Sequence, residues 1–230
     1  MNILALPIIA VPIWIIIAAA LTGVSAVSYL IYRTTHKSTP LNDGQIALLG
    51  PKESGKSQFL NWLKENKLVE PDRTGGEEPF DFEYQHNGKT YRIKGKDITG
   101  DESVISRYYE DIIKESNSIL FFFDCNQFII DNEYRQDVCR RVRFVYDHLH
   151  DKCKVFCIVA THLDLYGSEW HFPTVFSKKF KSKADFAYDI ITNLVNSEYP
   201  EINHCFSNMT ATNLKDKDSV KLLINRLFVK

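Results

Sequence analysis

Gly50-Pro51-Lys52-Glu53-Ser54-Gly55-Lys56-Ser57 fits the spacing G-x-x-x-x-G-K-S/T, and the runs on either side of it give that spacing its meaning. An apolar run, Ile46-Ala47-Leu48-Leu49, precedes it, and a helix-competent run, Gln58-Phe59-Leu60-Asn61-Trp62-Leu63-Lys64-Glu65, follows it. Strand, loop and helix are therefore predicted in that order. Such a loop converges backbone N–H groups and a helix N-terminus on one point, which suits an anion. In that geometry Lys52, Glu53, Ser54, Gly55, Lys56, Ser57 and Gln58 cradle phosphates, Lys56 reaches the β and γ positions, and the Ser57 hydroxyl meets Mg²⁺. A nucleoside triphosphate is the first expectation.

Composition limits the alternatives. Of 230 residues, about 190 remain after an apolar N-terminus, enough for one α/β domain with one core. With 44% apolar and 25% charged residues and a formal net charge of -1, the chain reads as folded and gives no reason to expect nucleic acid. The cysteines, Cys125, Cys139, Cys153, Cys157 and Cys205, are odd in number and sit mostly in apolar runs, which suits a reducing compartment. Cys153 and Cys157 have no second Cys or His pair nearby, so they read as packed thiols rather than a metal site.

Residues 1–32 contain no Asp, Glu, Lys or Arg. About 20 apolar residues cross a hydrocarbon core, so residues 1–33 are expected to form one transmembrane anchor, most regular from Trp14 to Tyr32 because Pro7 and Pro12 interrupt its start. A cleaved signal peptide is the rival reading; it calls for Lys or Arg ahead of the apolar region, and none is there. Arg33, His36 and Lys37 flank the span on its C-terminal side, which places the following domain in the cytoplasm. Residues 34–44 read as a polar tether and residues 45–230 as the folded domain.

Further along, Phe80, Phe82 and Tyr84 alternate with polar residues, and the alternation resumes at Tyr91 and Ile93 after Asn87-Gly88, predicting a β-hairpin. Residues 119–123 and 155–160 are continuous apolar runs that suit strands buried on both faces. Helices are predicted over 133–150, 184–196 and 219–227, and a last strand over 204–209. The alternation implies a doubly wound, mostly parallel six-stranded sheet with one antiparallel edge strand, binding ligand at the C-terminal strand ends.

A magnesium-bound triphosphate needs more oxygen ligands. Asp97, in Asp97-Ile98-Thr99-Gly100, offers a carboxylate to the metal and a Gly100 N–H to the γ-phosphate, and Thr74 stands in a loop before the hairpin where it closes over both. Past the strand ending at Ala160 comes Thr161-His162-Leu163-Asp164. A carboxylate there accepts from the N1–H and N2–H₂ of guanine, which adenine cannot supply. Thr210-Ala211-Thr212 then brings a backbone N–H toward the guanine oxygen.

With these five segments in order, residues 45–230 resemble the small-GTPase superfamily, a P-loop NTPase fold. The chain is most similar to the Arf-like branch and to the β-subunit family of the signal recognition particle receptor, which also joins a membrane helix to such a domain. Lys52 and Glu53 in the loop, Arg107-Tyr108-Tyr109, and Phe121-Phe122-Phe123-Asp124 carry the likeness. The resemblance implies GTP/GDP and Mg²⁺ as cofactors, with Ser57, Thr74 and Asp97 at the metal, Lys56, Thr74, Gly100 and Asp101 at the reacting phosphate, and effector or regulatory proteins as partners.

This sequence departs from the family pattern at three positions. His162 replaces a Lys whose stem stacks on the base. Thr161 replaces an Asn, with the expected loss of an amide that ties this segment to the phosphate loop. Asp101 stands where many members carry the Gln that orients water; an ionised Asp accepts hydrogen bonds and cannot donate one, so intrinsic hydrolysis is expected to be slow. The basic run Lys178, Lys179, Lys181, Lys183 is read as a solvated loop, or as a contact to anionic lipid or to a partner, and the insertion over residues 166–200 as a candidate partner surface. Three hypotheses result: a GTP-driven switch, a hydrolysis-deficient module that recruits a complex to the membrane, and an ATP-using P-loop enzyme.

Overall fold

The chain divides after Lys37 into two units, and the second carries the candidate site. A computed structural model describes residues 45–65, 78–97, 102–150, 153, 155–165 and 183–228. The expected anchor and tether fall outside these residues. Among the described residues no helix is long and apolar enough to cross a membrane.

The elements follow in the order β1 (Gln45–Leu49), α1 (Lys56–Glu65), β2 (Glu78–His86), β3 (Lys89–Asp97), α2 (Glu102–Glu115), β4 (Ser118–Asp124), α3 (Cys125–Ile130) and α4 (Asn132–Asp147). Then come β5 (Val155–Thr161), α5 (Lys183–Glu198), a 3₁₀ segment (Pro200–Asn208), β6 (Met209–Ala211) and α6 (Lys217–Leu227). The six strands form one sheet in the order β2-β3-β1-β4-β5-β6. Only the β2–β3 pair is antiparallel. The Asn87-Gly88 turn that joins them has φ of 51° and 76°, the two positive values that a two-residue hairpin turn matched to strand twist requires.

Strand alternation builds the layers. Every residue of β4 is buried, so its two side-chain rows each need an apolar cover. Ile119, Phe121 and Phe123 pack with Tyr109 and Ile113 of α2, Val138, Val142 and Val145 of α4, and Ala187, Ile191 and Val195 of α5. Leu120 and Phe122 pack on the opposite side with Phe59, Trp62 and Leu63 of α1 and Val220, Leu223 and Leu227 of α6. Helices thus cover both faces of a mostly parallel α/β sheet, as expected.

Two helices and one boundary differ from the sequence reading. α2 and α3 were not anticipated as helices. α3 spans only six residues and owes its start to Asp124, whose carboxylate accepts from the N–H groups of Asn126 and Gln127. The last strand is not 204–209: residues 200–208 coil as the 3₁₀ segment, with Pro200 in its first turn and Ile202, Cys205 and Phe206 buried. An i, i+3, i+4 spacing of apolar residues buries one helical face, and this outweighs β-propensity. The strand begins at Met209 and pairs with Ile158–Ala160 through Met209, Thr210 and Ala211.

β1 lies between β3 on one side and β4 on the other, so chain connections leave it in opposite directions. Loops that follow strands flanking such a reversal border a crevice at the carboxyl ends. The 50–57 loop emerges at that point.

Candidate functional site

The 50–57 loop folds tightly because two of its residues have no side chain beyond Cα. Gly50 has φ of +137°, and a Cβ on it would lie 2.0 Å from the Phe122 carbonyl oxygen of β4. Gly55 has φ of +89°, and a Cβ there would lie 2.7 Å from Leu214 Cδ1. At Gly50 the contact is with main chain and only glycine fits, while at Gly55 the neighbour is a side-chain methyl and the positive φ is what favours glycine. Glu53 also has positive φ, at 61°. Ser54 is fully buried, while Lys52 and Glu53 are exposed.

Lys56 opens α1, and its side chain folds back under the loop. Its ammonium donates to the carbonyls of Pro51 at 2.6 Å and Gly50 at 3.0 Å and to Ser54 Oγ at 3.3 Å, and the residue is 5% exposed. A positive charge is therefore held beside the helix N-terminus, so charge and macrodipole add for an incoming anion. Ser57 and Gln58, in the first turn of α1, are half-buried.

The second cluster lies across the strand ends and is bonded to the first. Thr161, the last residue of β5, is fully buried, and its Oγ1 lies 2.9 Å from the Ser54 carbonyl and 2.9 Å from the Phe123 carbonyl. A hydroxyl has one proton, so it serves these two oxygens in alternation. His162 Nδ1 stands 2.9 Å from the same hydroxyl and 3.5 Å from Asp124 Oδ2. The expectation that replacing Asn by Thr161 breaks the tie to the 50–57 loop is thus wrong: a hydroxyl suffices, because β5 brings Thr161 within direct reach of Ser54 O.

His162 has φ of +58°, an αL conformation that turns the chain sharply after β5. Asp164 follows in the turn, half-buried, with Oδ2 3.0 Å from the ammonium of Lys215. The loop after β6 runs alongside: Thr212 N–H donates to the Ala160 carbonyl at 2.8 Å, and Leu163 N–H donates to the Thr212 carbonyl at 3.4 Å. Thr212 Oγ1 is buried without a hydrogen-bond partner. Thr210 and Ala211 belong to β6 itself rather than to the loop after it, and Thr210 Oγ1 accepts from Arg226 of α6 at 2.9 Å. Trp62 Nε1 of α1 donates to the Leu214 carbonyl at 3.1 Å, linking the helix after one loop to the chain after the other.

Several supporting roles escaped the sequence reading. Tyr109 of α2 accepts the Gly50 N–H at 3.1 Å, and Tyr134 of α4 accepts the Asp124 N–H at 2.9 Å. Burial pushes both phenols above their usual pKa, so they act as neutral hydroxyls at physiological pH. Tyr109 entered the sequence reading only as part of a likeness, with no role given to its hydroxyl, and Tyr134 not at all, because both look like ordinary helix-face aromatics. Lys215 was missed for the same reason, as one of several lysines around α6.

The remaining site residues are only partly within reach. Asp97 closes β3, paired in register with Glu78. Thr74, Gly100 and Asp101 lie outside the described residues, as do residues 166–182. Among the described residues no group of three His, Cys, Asp or Glu side chains is disposed to hold a metal ion. The glycine cradle, the buried ammonium and the helix N-terminus together suit a bound anion of phosphate type. No protein-family model matches the chain, and a comparison with curated proteins finds no match.

Proposed function

We propose that this chain is a membrane-anchored GTP-binding protein with a P-loop NTPase domain of the small-GTPase kind, facing the cytoplasm. It binds Mg²⁺-GTP, hydrolyses it slowly to GDP and phosphate, and acts as a conformational switch toward an effector protein. What supports the reading is one relationship: the 50–57 loop and the 161–164 turn, 107 residues apart, are joined by the Thr161 Oγ1 to Ser54 O hydrogen bond at a topological switch point.

In this reading the amides of residues 52–58 and Lys56 hold the phosphates. Ser57, Asp97 and Thr74 supply oxygens to Mg²⁺, which contributes neutralisation of charge on the β and γ oxygens. Gly100, assigned from the sequence pattern, would offer its N–H to the γ-phosphate. Asp164 accepts from the guanine N1–H and N2–H₂ once Lys215 yields one of its oxygens, the His162 ring flanks the base, and the 210–212 segment, with Thr210, Ala211 and Thr212, offers a backbone N–H to the guanine oxygen.

A second reading keeps the nucleotide and drops the turnover. Asp101 in the place of a water-orienting amide favours it, making the domain a GTP-loaded module that recruits a complex to the membrane.

Calorimetric titration of the full chain with GTP, GDP and ATP in Mg²⁺ tests the first step. Guanine nucleotides should bind and ATP should not at comparable concentration; equal affinity for ATP defeats the guanine assignment. Single-turnover assays then separate switch from module, since phosphate release no faster than without protein, even with candidate partners, rules out the switch.

A further inference from the structure

Two main-chain N–H groups at the carboxyl ends of neighbouring strands β1 and β4 are satisfied by tyrosine hydroxyls rather than by the sheet. Gly50 N–H goes to Tyr109 and Asp124 N–H goes to Tyr134. The tyrosines come from different helices, α2 and α4, and share one cation. Arg141 of α4 is near enough to both phenols to act on them electrostatically, and its Nε lies 2.6 Å from Asp137 Oδ2. Arg141 is 7% exposed and Tyr109 1% exposed, so the cluster lies inside the protein.

The position of this cluster matters. Gly50 is held from two sides, by the Phe122 carbonyl that excludes any Cβ and by the Tyr109 hydroxyl that takes its N–H. Lys56 in turn hangs on the Gly50 carbonyl at 3.0 Å. Asp124, held by Tyr134, is the carboxylate that faces His162 and caps α3. Arg141 therefore stands behind both clusters of the candidate site while touching neither directly. Tyr109 sits on α2, which begins at Glu102 directly after the segment containing Asp101, so a shift of α2 would pull the hydroxyl from Gly50.

We propose that Tyr109 and Arg141 are positioning residues that lock the entry of the 50–57 loop to helix α2, and that release of this lock sets the rate at which bound nucleotide leaves. The second half rests on the nucleotide reading above; the first does not. Tyr109 O accepts from Gly50 N–H at 3.1 Å, with the buried Arg141 cation nearby. Losing the hydroxyl leaves a buried N–H without an acceptor and frees the loop entry to open locally.

The test is residue-resolved amide hydrogen exchange on the full chain, comparing wild type with Tyr109→Phe, Tyr134→Phe and Arg141→Met. In Tyr109→Phe the Gly50 amide should exchange roughly tenfold faster while Ile46 to Leu49 of β1 keep their protection. Tyr134→Phe should accelerate Asp124 and spare Gly50, and Arg141→Met should accelerate both. An overall loss of protection in Arg141→Met would mark a general packing role and overturn Arg141's part; Arg141→Lys, which keeps a buried donor, should restore most of the protection. Unchanged Gly50 exchange in Tyr109→Phe overturns the lock.

The release rate of a fluorescent GTP analogue is read in parallel. A rise of about tenfold in Tyr109→Phe, with the thermal midpoint lowered by only a few degrees, supports the coupling to release. Faster exchange with an unchanged release rate overturns that coupling and leaves the lock. If wild type binds no nucleotide, the proposed function fails and so does the coupling, while the exchange data still decide the lock.

Discussion

Thr161 Oγ1 stands 2.9 Å from the main-chain carbonyl of Ser54, so a single hydroxyl at the end of β5 holds the 50–57 loop against the strand two places away in the sheet. Phe123 O of the intervening strand β4 is equally close, at 2.9 Å. That one hydroxyl thus serves the 50–57 loop and the end of β4 in alternation, in a place from which water is excluded.

Thr161→Val keeps the shape and removes that proton. Two buried carbonyls lose their donor, so stability should fall by about 1–3 kcal/mol in urea unfolding, and nucleotide affinity should fall with it. Thr161→Ser, which retains the hydroxyl, should lose only about 1 kcal/mol through its missing methyl group. Equal losses in the two variants would show that packing rather than the hydrogen bond matters.

Gly50→Ala is predicted to be among the most damaging single substitutions in the domain. Its Cβ would stand 2.0 Å from the Phe122 carbonyl, and at φ of +137° an L side chain is strained whatever the space. Backbone strain and forced displacement of β4 together cost roughly 2–6 kcal/mol, seen as a lowered thermal midpoint or loss of soluble protein. A stability within 0.5 kcal/mol of wild type, about the spread of ordinary surface substitutions, would contradict this geometry.

Asp164 and Lys215 make opposite predictions although they pair at 3.0 Å. If Asp164 binds guanine as proposed, Asp164→Asn sets an amide against the guanine donors and should cut the ratio of GTP to ATP affinity by about a hundredfold or more. Lys215 is 67% exposed, and an exposed ion pair is worth little, so Lys215→Ala should change GTP affinity by less than about fivefold, and less still in high salt. Competition titrations with both nucleotides read the two effects. An unaltered GTP-to-ATP ratio in Asp164→Asn would place the base elsewhere.

The cysteines predict a pH dependence. Burial pushes the thiols of Cys139 and Cys157 up to about 12 and that of Cys205 up to about 11, and those of Cys125 and Cys153 also upward. A thiol whose pKa is higher folded than unfolded ionises first in the unfolded chain. Its contribution to stability is therefore intact below about pH 8.5 and is lost as the pH climbs toward the folded values. Unfolding midpoints should drop between pH 8.5 and 10.5, and native protein at pH 8 should react slowly with a maleimide until denaturant is added. Fast labelling of Cys157 in the native state would show that its strand is not closed to solvent.

Legibility followed the range of the interaction that decides each feature. The hairpin was readable because Asn87-Gly88 and the alternation around it are local signals, and β4 and β5 because a run such as Phe121-Phe122-Phe123 has few other uses. Residues 204–209 were misread because a short apolar run suits a strand or a helix, and the spacing of Ile202, Cys205 and Phe206 becomes decisive only when one face has a core to meet. The role of Thr161 was misjudged from residue type alone. An amide reaches further than a hydroxyl, and whether the reach is needed depends on how closely β5 carries the chain to Ser54.

By itself the sequence determined the strand, loop and helix around Gly50 to Ser57, the alternation of strands and helices, and the residue types available for phosphate and base. These depend on neighbours a few positions apart, where backbone sterics and hydrophobic period act without reference to the rest of the chain. Only the tertiary structure decided that Thr161 meets Ser54, that Tyr109 and Tyr134 satisfy the strand-end amides, and that Lys215 engages Asp164. Each is a contact between segments brought together by burial of the sheet's two faces, and hydrogen-bond energy falls away within an ångström of its optimum, so no pattern of residue types encodes it.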